Sequence, residues 1–401
     1  MIIYLMSTSI FIDDEAKSPK INVNKYSKNN FCYNIWNYDK KVLCFDENKS
    51  VLNCRSLIKS YPENRILSFS HGKSTSISTF CEKYEYNENI ILNEYIDGTL
   101  IHLFYDDRIN KWEIATKNSI GGHFKLYNKR ENVKSNKTVK EMFLQTLTCD
   151  MSCYDLNSTK VTNIIQNFPK KNCYQFVLLH PENPIIFPIE RPKLYLVSVF
   201  EIITKNEIRV CYPYEHWDCF QNSTLCFPRT KKIKSWDEIK ANQFELFNKE
   251  EELVGYHALH VPSGDRCIFF NPVYKDLLRY KTLNPRELYH YLTIRKLNSV
   301  KDFLHYFPKF RNKFSLFKDH LNQYIENLHN AYLAKYVFKK PIENSKYSHY
   351  VDLVHREIYI PSINKNKKEK ITRKTIHNYI MSKLVPEICY ALFEEKRKLL
   401  C

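Results

Sequence analysis

Glycine is scarce in this chain: only 6 of its 401 residues are glycine, against roughly 7% in an average protein. The chain also has no apolar run of about 18 residues or more, the length a membrane-spanning helix requires, so we expect no membrane span. A chain that avoids glycine elsewhere should keep it where a turn needs a positive φ or where two backbone segments pass closely. These positions are Gly72, Gly98, Gly121, Gly122, Gly255 and Gly264.

The marks of a secreted protein are missing as well. Residues 1–12 are apolar, but no basic segment precedes them, no small-residue cleavage site follows, and three acidic residues come directly after. The 13 cysteines are odd in number and scattered from Cys32 to Cys401, which is typical of reduced thiols. No grouping of cysteine and histidine has the paired short spacing of a structural zinc site, so we predict no metal centre. These observations favour a cytoplasmic protein.

Four stretches of the chain share the order and spacing of a known set of motifs. The first is Asn93–Ile101, with the sequence Asn-Glu-Tyr-Ile-Asp-Gly-Thr-Leu-Ile, and Trp112–Ser119 follows it. The second, Tyr174–Asn183, ends in Pro-Glu-Asn. The third is Val254–His257 and the fourth is Ile268–Tyr274. Asp-Gly-Thr alone is a common turn sequence, so the inference depends on all four together.

These stretches resemble the signature motifs of ATP-dependent RNA ligases and related nucleotidyltransferases. In that family the motifs read Lys-x-Asp-Gly-Ser/Thr, Phe-Glu-Leu-x-x-Pro-Glu-Asn, Glu-Gly-x-Val and Lys-x-Lys-x-x-x-Tyr, and the first lysine attacks ATP and carries AMP. The resemblance extends from about residue 45 to 280 and, more weakly, to the end of the chain. It implies an α+β nucleotidyltransferase domain with antiparallel sheets. Residues that match the family pattern, the first two loosely, are Arg55, Lys73, Asp97, Gly98, Thr99 and Lys117.

In each motif the residue that would do the chemistry is replaced. Tyr95 stands at the position of the nucleophilic lysine, and Val177 and Val254 stand at the positions of two glutamates. Ile268 and Phe270 replace the two lysines that hold the α-phosphate in the family. A phenol is almost fully protonated at neutral pH, and losing one charge-stabilising donor typically slows such a reaction about 100- to 1,000-fold. We therefore predict a pseudoenzyme with no catalytic residues and no cofactor.

All five replacements are apolar or aromatic, which predicts that the former nucleotide pocket has become packed core. Each buried aliphatic side chain would then contribute roughly 1.5 to 3 kcal/mol. Two alternatives stay open: ordinary strand residues in an unrelated sheet protein, and an enzyme that uses Tyr95 as its nucleophile. No lysine lies between Lys83 and Lys111 to take the place of Tyr95.

The C-terminal third differs from the rest in charge. Residues from Asp276 to Cys401 contain 25 Lys and Arg against 12 Asp and Glu, and so carry +13 of the net charge of +17. We divide the chain into an N-terminal extension (1–44), an RNA ligase-like nucleotidyltransferase domain (45–280) and a basic helical RNA-binding domain (281–401).

Helical signals dominate this last domain. Asn284–Glu287 and Ser299–Asp302 have the pattern of helix N-caps. Apolar and aromatic residues recur at helical spacing from Phe314 to Tyr332. Two further helices are predicted, one from about Thr372 to Leu384 and one that begins near Pro386.

A basic helical surface with interleaved tyrosines suits nucleic acid, because lysines neutralise phosphates and aromatic rings stack on unpaired bases. RNA ligases of the tRNA-repair kind carry a helical C-terminal domain that recognises tRNA, so the resemblance implies RNA, and tRNA in particular, as the partner. A plainer interpretation is a helical bundle whose lysines only keep it soluble. The residues predicted to contact phosphates are Lys365, Lys367, Lys368, Lys370, Arg373 and Lys374, and in second place Arg311, Lys313 and Lys318.

These observations predict a catalytically inactive RNA ligase relative that binds structured RNA. Such a protein could shield tRNA, or its cleaved ends, as an immunity factor against a tRNA-cleaving toxin. The abundance of Lys, Asn, Ile and Tyr is typical of A+T-rich coding DNA, which fits a virus or a cytoplasmic linear plasmid. Two other functions stay open: an active RNA ligase or guanylyltransferase, and an interaction subunit of a viral or plasmid RNA-processing complex.

Overall fold

The computed structural model describes residues 9–12, 20–28, 30–42, 49–128, 133–183, 189–212, 214, 217–220, 223–241, 253–278, 287–342, 347–364 and 370–397. The chain divides into two compact units. The first unit is Met1–Asn128 with Lys134–Arg279, and the second is Lys129–Val133 with Tyr280–Cys401. Antiparallel sheets with a few helices are followed by a helical region, so the predicted α+β class is confirmed.

The described strands, in chain order, are β1 (Ile10–Phe11), β2 (Ile21–Lys28), β3 (Phe31–Tyr38), β4 (Arg55–Tyr61), β5 (Ile66–Ser68), β6 (Ile90–Glu94), β7 (Thr99–Asp106), β8 (Lys111–Thr116), β9 (Ser119–Ile120), β10 (Lys125–Asn128), β11 (Val133–Thr138), β12 (Asn172–Leu179), β13 (Lys193–Ile202), β14 (Glu207–Cys211), β15 (Gly255–His260) and β16 (Arg266–Phe270). The helices described in the first unit are α1 (Lys49–Asn53), α2 (Ile77–Lys83), α3 (Val139–Thr148), α4 (Thr159–Ile165), α5 (Trp236–Ala241) and α6 (Pro272–Leu278), and a 3₁₀ turn covers Asp218–Phe220.

Three antiparallel sheets organise the first unit. The largest has the strand order β1-β14-β13-β12-β7-β8-β9, a second has the order β2-β3-β4-β5, and a third has the order β16-β15-β6. A two-stranded sheet joins β10 and β11. Strand β6 belongs to the three-stranded sheet and β7 to the seven-stranded sheet. The first motif, which links these two strands, therefore crosses from one sheet to another.

The alternation of side chains along β7 explains how the seven-stranded sheet is covered on both faces. Ile101 and Leu103 belong to a core that includes Phe143 of α3. Phe104, whose side chain points to the opposite face, belongs to a second core with Leu57 of β4. The sheet is thus buried between helices on one side and the four-stranded sheet on the other.

The described residues of the predicted N-terminal extension (1–44) pair with strands of the first unit. In the described part of this segment, β1 pairs with β14, β2 pairs with β3, and β3 pairs with β4. Alternation is weak in β2 because only one residue, Ile21, is buried, while its asparagines and lysines are exposed or half-buried. The sequence pattern was therefore too faint to predict this strand.

The second unit is helical, as predicted. Its described helices are α7 (Glu287–Lys296), α8 (Val300–Tyr306), α9 (Arg311–Tyr332), α10 (Ser348–Val354), α11 (Ile360–Asn364), α12 (Arg373–Ser382) and α13 (Val385–Arg397). A 3₁₀ turn covers Pro308–Phe310, and π-helical turns cover Leu333–Val337 and His355–Tyr359.

Local signals in the second unit agree with these bounds. The Thr372 hydroxyl accepts the backbone N–H of Thr375 at 3.2 Å and caps α12. The helical repeat predicted from Phe314 to Tyr332 lies in α9, with Phe314, Leu321 and Tyr332 buried. The predicted cap at 284–286 lies outside the described residues. Within the described part of the chain, none of the helices combines the length and apolar character that crossing a bilayer would require.

Candidate functional site

A cavity of about 720 Å³ lies in the first unit where three of the four motif stretches meet. Its lining includes residues 93–100 of the first motif, Val177 of the second and His257 of the third. Of the residues that match the family pattern, Lys73 is exposed and is not part of the lining. The others line the cavity; they are Arg55, Asp97, Gly98, Thr99 and Lys117. A volume of this size suits a small-molecule ligand, so the prediction that the pocket has become packed core is wrong.

The aromatic replacements leave space because they pack on one another. The ring of Tyr95 meets the ring of Phe270 edge-on, with 5.6 Å between centroids. Phe270 in turn stacks on Tyr274 at 6.3 Å. These three rings come from the first and fourth motifs. Phe270 is directed to this aromatic stack and does not line the cavity.

The Asp-Gly-Thr turn is held by close contacts on both sides. A Cβ atom added to Gly98 would lie 2.6 Å from Val177 Cγ1 and 2.7 Å from the carbonyl oxygen of Leu178. The Asp97 carboxylate accepts a hydrogen bond from the hydroxyl of Tyr274, which is almost fully buried. Asp97 and Tyr274, which both match the family pattern, therefore hold each other's side chain in position.

The phenol of Tyr95 is held in its protonated form. Burial is the largest cause of a raised pKa for its phenol, and the negative charge of Asp97 raises the pKa further. Arg266 and Arg55 oppose this shift only in part. The phenol consequently stays protonated at neutral pH.

A cation, Arg266, lies two residues before Ile268 on the same strand. Arg266, Ile268 and Phe270 lie on one face of β16, because alternate residues of a strand share a face. Arg266 is buried and lines the cavity. Its Nε donates to the carbonyl oxygen of Gly72 at 3.1 Å, and within the described residues it forms no ion pair. Burial and the nearby charge of Arg55 lower its pKa to about 9, so it remains charged at neutral pH.

Two histidines complete this wall of the cavity. The rings of His71 and His257 lie 5.8 Å apart between centroids. In the described part of the chain, Nε2 of His257 is buried without a hydrogen-bond partner. Burial lowers the pKa of both rings, to about 3 for His257, and the charges of Arg266 and Arg55 lower them further. Both imidazoles are therefore neutral at pH 7 and can donate or accept a hydrogen bond.

Of the charged residues that line the cavity, Glu94 is ion-paired, whereas the three lining cations are not ion-paired within the described residues. Glu94 accepts two hydrogen bonds from Arg229, at 2.8 Å from Nε and 3.2 Å from Nη2. Arg55, Lys117 and Arg266 form no ion pair within the described residues. Burial is the largest cause of a lowered pKa for Lys117. These three cations outnumber Asp97, whose carboxylate is hydrogen-bonded by the neutral Tyr274 hydroxyl, so the cavity keeps a net positive charge, which favours an anionic ligand.

Val177 and Val254 offer no ligand for a metal. Val177 is buried in β12 and pairs with Leu100. The carbonyl oxygen of Val254 accepts the backbone N–H of Asn271 at 2.9 Å. Among the described residues no three His, Cys, Asp or Glu side chains are grouped so that they could hold a metal ion.

The sequence motifs identified Arg55, Asp97 and Lys117 at this cavity but missed Arg266, His71 and His257. One signal for Arg266 was available: it lies two residues before Ile268, on the face where the family pattern requires lysines. His71 lies two residues before Lys73, the residue of that stretch that loosely matches the family pattern.

Comparison with known proteins agrees with the motifs. No family model matches the chain. Its sequence is 28% identical to an RNA ligase from Rhodothermus phage RM378 over 109 residues, which are 27% of this chain and 22% of the phage protein. The match therefore spans about a fifth of the phage enzyme. The predicted resemblance to RNA ligases is confirmed.

Several solved structures align with the chain at low identity. A putative ATP-dependent DNA ligase from Aquifex aeolicus aligns over 80% of this chain and 79% of its own, with 13% identity and a TM-score of 0.40. An archaeal ATP-dependent RNA ligase aligns over 75% of this chain and 68% of its own, with 10% identity and a TM-score of 0.41. A Naegleria gruberi RNA ligase aligns over 69% of this chain and 85% of its own, with 10% identity and a TM-score of 0.35.

The residues predicted to contact RNA fall into four groups in the second unit. Lys365, Lys367 and Lys368 lie outside the described residues. Lys370 and Lys374 are exposed near the start of α12. Two others are already ion-paired: Arg373 with Glu326 at 3.0 Å and Lys313 with Glu287 at 2.8 Å. Arg311 and Lys318 are exposed on α9 and, among the described residues, form no ion pair.

Proposed function

We propose that this protein is an RNA-binding relative of RNA ligases that does not seal RNA. One observation carries the proposal: the nucleophile position holds Tyr95, a phenol whose pKa is raised by burial and whose ring packs on Phe270. Covalent nucleotidyl transfer needs an amine there and cationic groups around the α-phosphate. Neither is present at Tyr95, Ile268 or Phe270.

The preserved cavity supports non-covalent binding of a phosphate-bearing ligand. Arg55, Lys117 and Arg266 supply positive charge without carboxylate partners in the described structure, and His257 offers an unsatisfied nitrogen. The same space favours a second candidate function, nucleotidyl transfer through an unusual nucleophile. That candidate requires Tyr95 to lose its proton, which burial and Asp97 both oppose.

RNA is the proposed partner, and tRNA or its cleaved ends the proposed class. The support comes from the likeness to an RNA ligase and from the positive charge of the C-terminal third. A protein that grips tRNA without sealing it would shield the strand from a nuclease, which fits an immunity factor acting in the cytoplasm. This role needs occupancy of the RNA and no nucleophile.

The test uses the full-length protein in two assays. The protein is incubated with labelled ATP or GTP and Mg²⁺ or Mn²⁺, and denaturing gels are expected to show no covalent band. In parallel, nitrocellulose binding is expected to show retention of tRNA, and nicked tRNA should remain unsealed. A labelled band that is absent from the Tyr95→Phe variant would overturn the proposal in favour of the second candidate. Failure to retain tRNA would overturn the RNA-binding part.

A further inference from the structure

A second cavity, of about 690 Å³, lies wholly within the second unit. Residues of α7, α8, α9 and α12 line it. Four of the lining side chains are cationic, and His377 is a fifth basic group. No Asp or Glu is among the described residues that line the cavity. Burial raises the pKa of Tyr291, and the negative charge of Asp319 on α9 raises it further. The cationic residues are Arg295, Lys296, Arg311 and Lys318.

Helix α9 presents one basic face to this cavity. Arg311, Ser315 and Lys318 lie at positions i, i+4 and i+7 and therefore share a face. The first turn of this 22-residue helix contains no acidic residue and no side-chain cap. Its N-terminal dipole thus adds to the positive potential created by Arg311 and Lys318.

The other two cations are held in place. Arg295 donates from Nη1 to the Tyr291 hydroxyl at 2.8 Å, and its Nη2 lies 3.4 Å from Nε2 of His377. Lys296 donates from Nζ to the carbonyl oxygen of Lys383 at 2.6 Å. The cavity therefore combines two cations held by hydrogen bonds, Arg295 and Lys296, with two exposed cations, Arg311 and Lys318, whose side chains are free to turn toward a ligand.

Buried aromatic rings form a rigid floor beneath these charges. Tyr291 and Phe314 are almost fully buried, and their rings meet edge-on with 5.1 Å between centroids. Phe314 also stacks on Phe303 of α8 at 5.2 Å. These contacts lock α7, α8 and α9 together, so the backbone positions that carry Arg295, Lys296, Arg311 and Lys318 keep their spacing without a ligand.

We propose that this cavity binds a phosphate group of RNA. A concave site with four cations and no lining carboxylate matches the charge of phosphate, and guanidinium groups bind its oxygens through paired hydrogen bonds. The proposal rests on the RNA-binding function proposed above and names the group that the second unit recognises. The phosphate can be an internal diester or a terminal monoester of the RNA.

The test compares two double variants of the full-length protein. Arg311→Gln with Lys318→Gln removes two charges from the cavity, whereas Lys301→Gln with Lys340→Gln removes two exposed charges of the same unit outside it. We expect the cavity variant to bind tRNA about 10-fold more weakly and to reduce the slope of log affinity against log salt by about 0.7 to 0.9, as loss of one phosphate contact requires. The control variant should bind within about 2-fold of wild type. Circular dichroism and thermal unfolding verify that both variants are folded.

Matched oligonucleotides distinguish the two sources of phosphate. If wild type prefers a 5′-phosphorylated single-stranded RNA over its 5′-hydroxyl form and the cavity variant loses that preference, the ligand is a terminal monoester. If the cavity variant weakens binding to both RNAs equally, the ligand is an internal diester. Equal affinity of wild type and the cavity variant for tRNA and for both oligonucleotides would overturn the cavity proposal alone. No RNA binding by wild type would overturn this proposal together with the proposed function.

Discussion

His71 and His257 face each other at the cavity of the first unit, with 5.8 Å between ring centroids and an interplanar angle of 60°. Both pKa values lie below the ordinary 6.5 because burial and two nearby arginines disfavour the charged ring. The folded protein therefore carries two imidazoles that stay neutral at a pH where the unfolded chain protonates them.

This difference predicts a pH dependence of stability. The pKa of His257 is about 3 in the folded protein and 6.5 as a free side chain. As the pH falls below about 6.5, His257 binds a proton in the unfolded chain but stays neutral in the folded protein. The free energy of unfolding therefore decreases between pH 6.5 and about 3. Replacing His257 by Gln should flatten that decrease, measured by urea unfolding at pH 7.5 and pH 5. His349→Gln, at an exposed position of the second unit, is the control and should unfold with the wild-type pH dependence. An unchanged pH dependence in His257→Gln would show that folding does not lower the pKa of this histidine.

Restoring the nucleophile alone should not restore the reaction. We expect Tyr95→Lys to form no covalent adduct with labelled ATP and Mg²⁺, because Ile268 and Phe270 leave the α-phosphate without its cations. Effects of groups that act together are not additive, so restoring one residue of the set should restore little of the adduct formation. Denaturing gels measure the adduct, with the wild-type protein as the baseline. A strong AMP adduct on Tyr95→Lys would mean that the nucleophile was the only missing component.

Gly98 should tolerate no side chain. A Cβ in Gly98→Ala would lie 2.6 Å from Val177 Cγ1 and 2.7 Å from Leu179 Cδ2. Overpacking of this kind costs about 1 to 3 kcal/mol, so thermal unfolding should begin at a lower temperature than in wild type. An unchanged unfolding curve would mean that the two strands move apart without cost.

The polar run before α12 is predicted to contact RNA phosphates. Changing Lys365, Lys367, Lys368 and Lys370 together to Ala should make the salt dependence of tRNA binding shallower and leave thermal unfolding unchanged, since fewer counterions are released. Nitrocellulose binding at several salt concentrations measures the slope. A wild-type slope in this variant would exclude the run from the RNA interface.

Protection of tRNA is expected to depend on the basic second unit and not on Tyr95. Cells exposed to a tRNA anticodon nuclease should keep intact tRNA when they express wild type or Tyr95→Ala, and lose it with the four-lysine variant. Northern blots of tRNA measure this directly. Equal cleavage in all three strains and in cells without the protein would reject the protective role and favour an interaction subunit.

Much of the fold was predictable because its signals are local. Helix α9 follows from the helical repeat between Phe314 and Tyr332. The open cavity was not predictable, since it depends on how Tyr95 packs against a ring 175 residues later in the chain. The apolar residues of the motifs predict a filled pocket, whereas the rotamer and the spatial neighbours of each side chain decide where that side chain points.

The position of Arg266 also limits what the cavity can do with a bound nucleotide. Two residues of an antiparallel strand span about 6.8 Å, so an anion held by Arg266 would lie roughly that far from the place where a lysine at position 268 would hold it. Reacting atoms must approach to about 3 to 3.5 Å for attack on phosphorus. This geometry predicts that a nucleotide, if the cavity binds one, is released chemically unchanged.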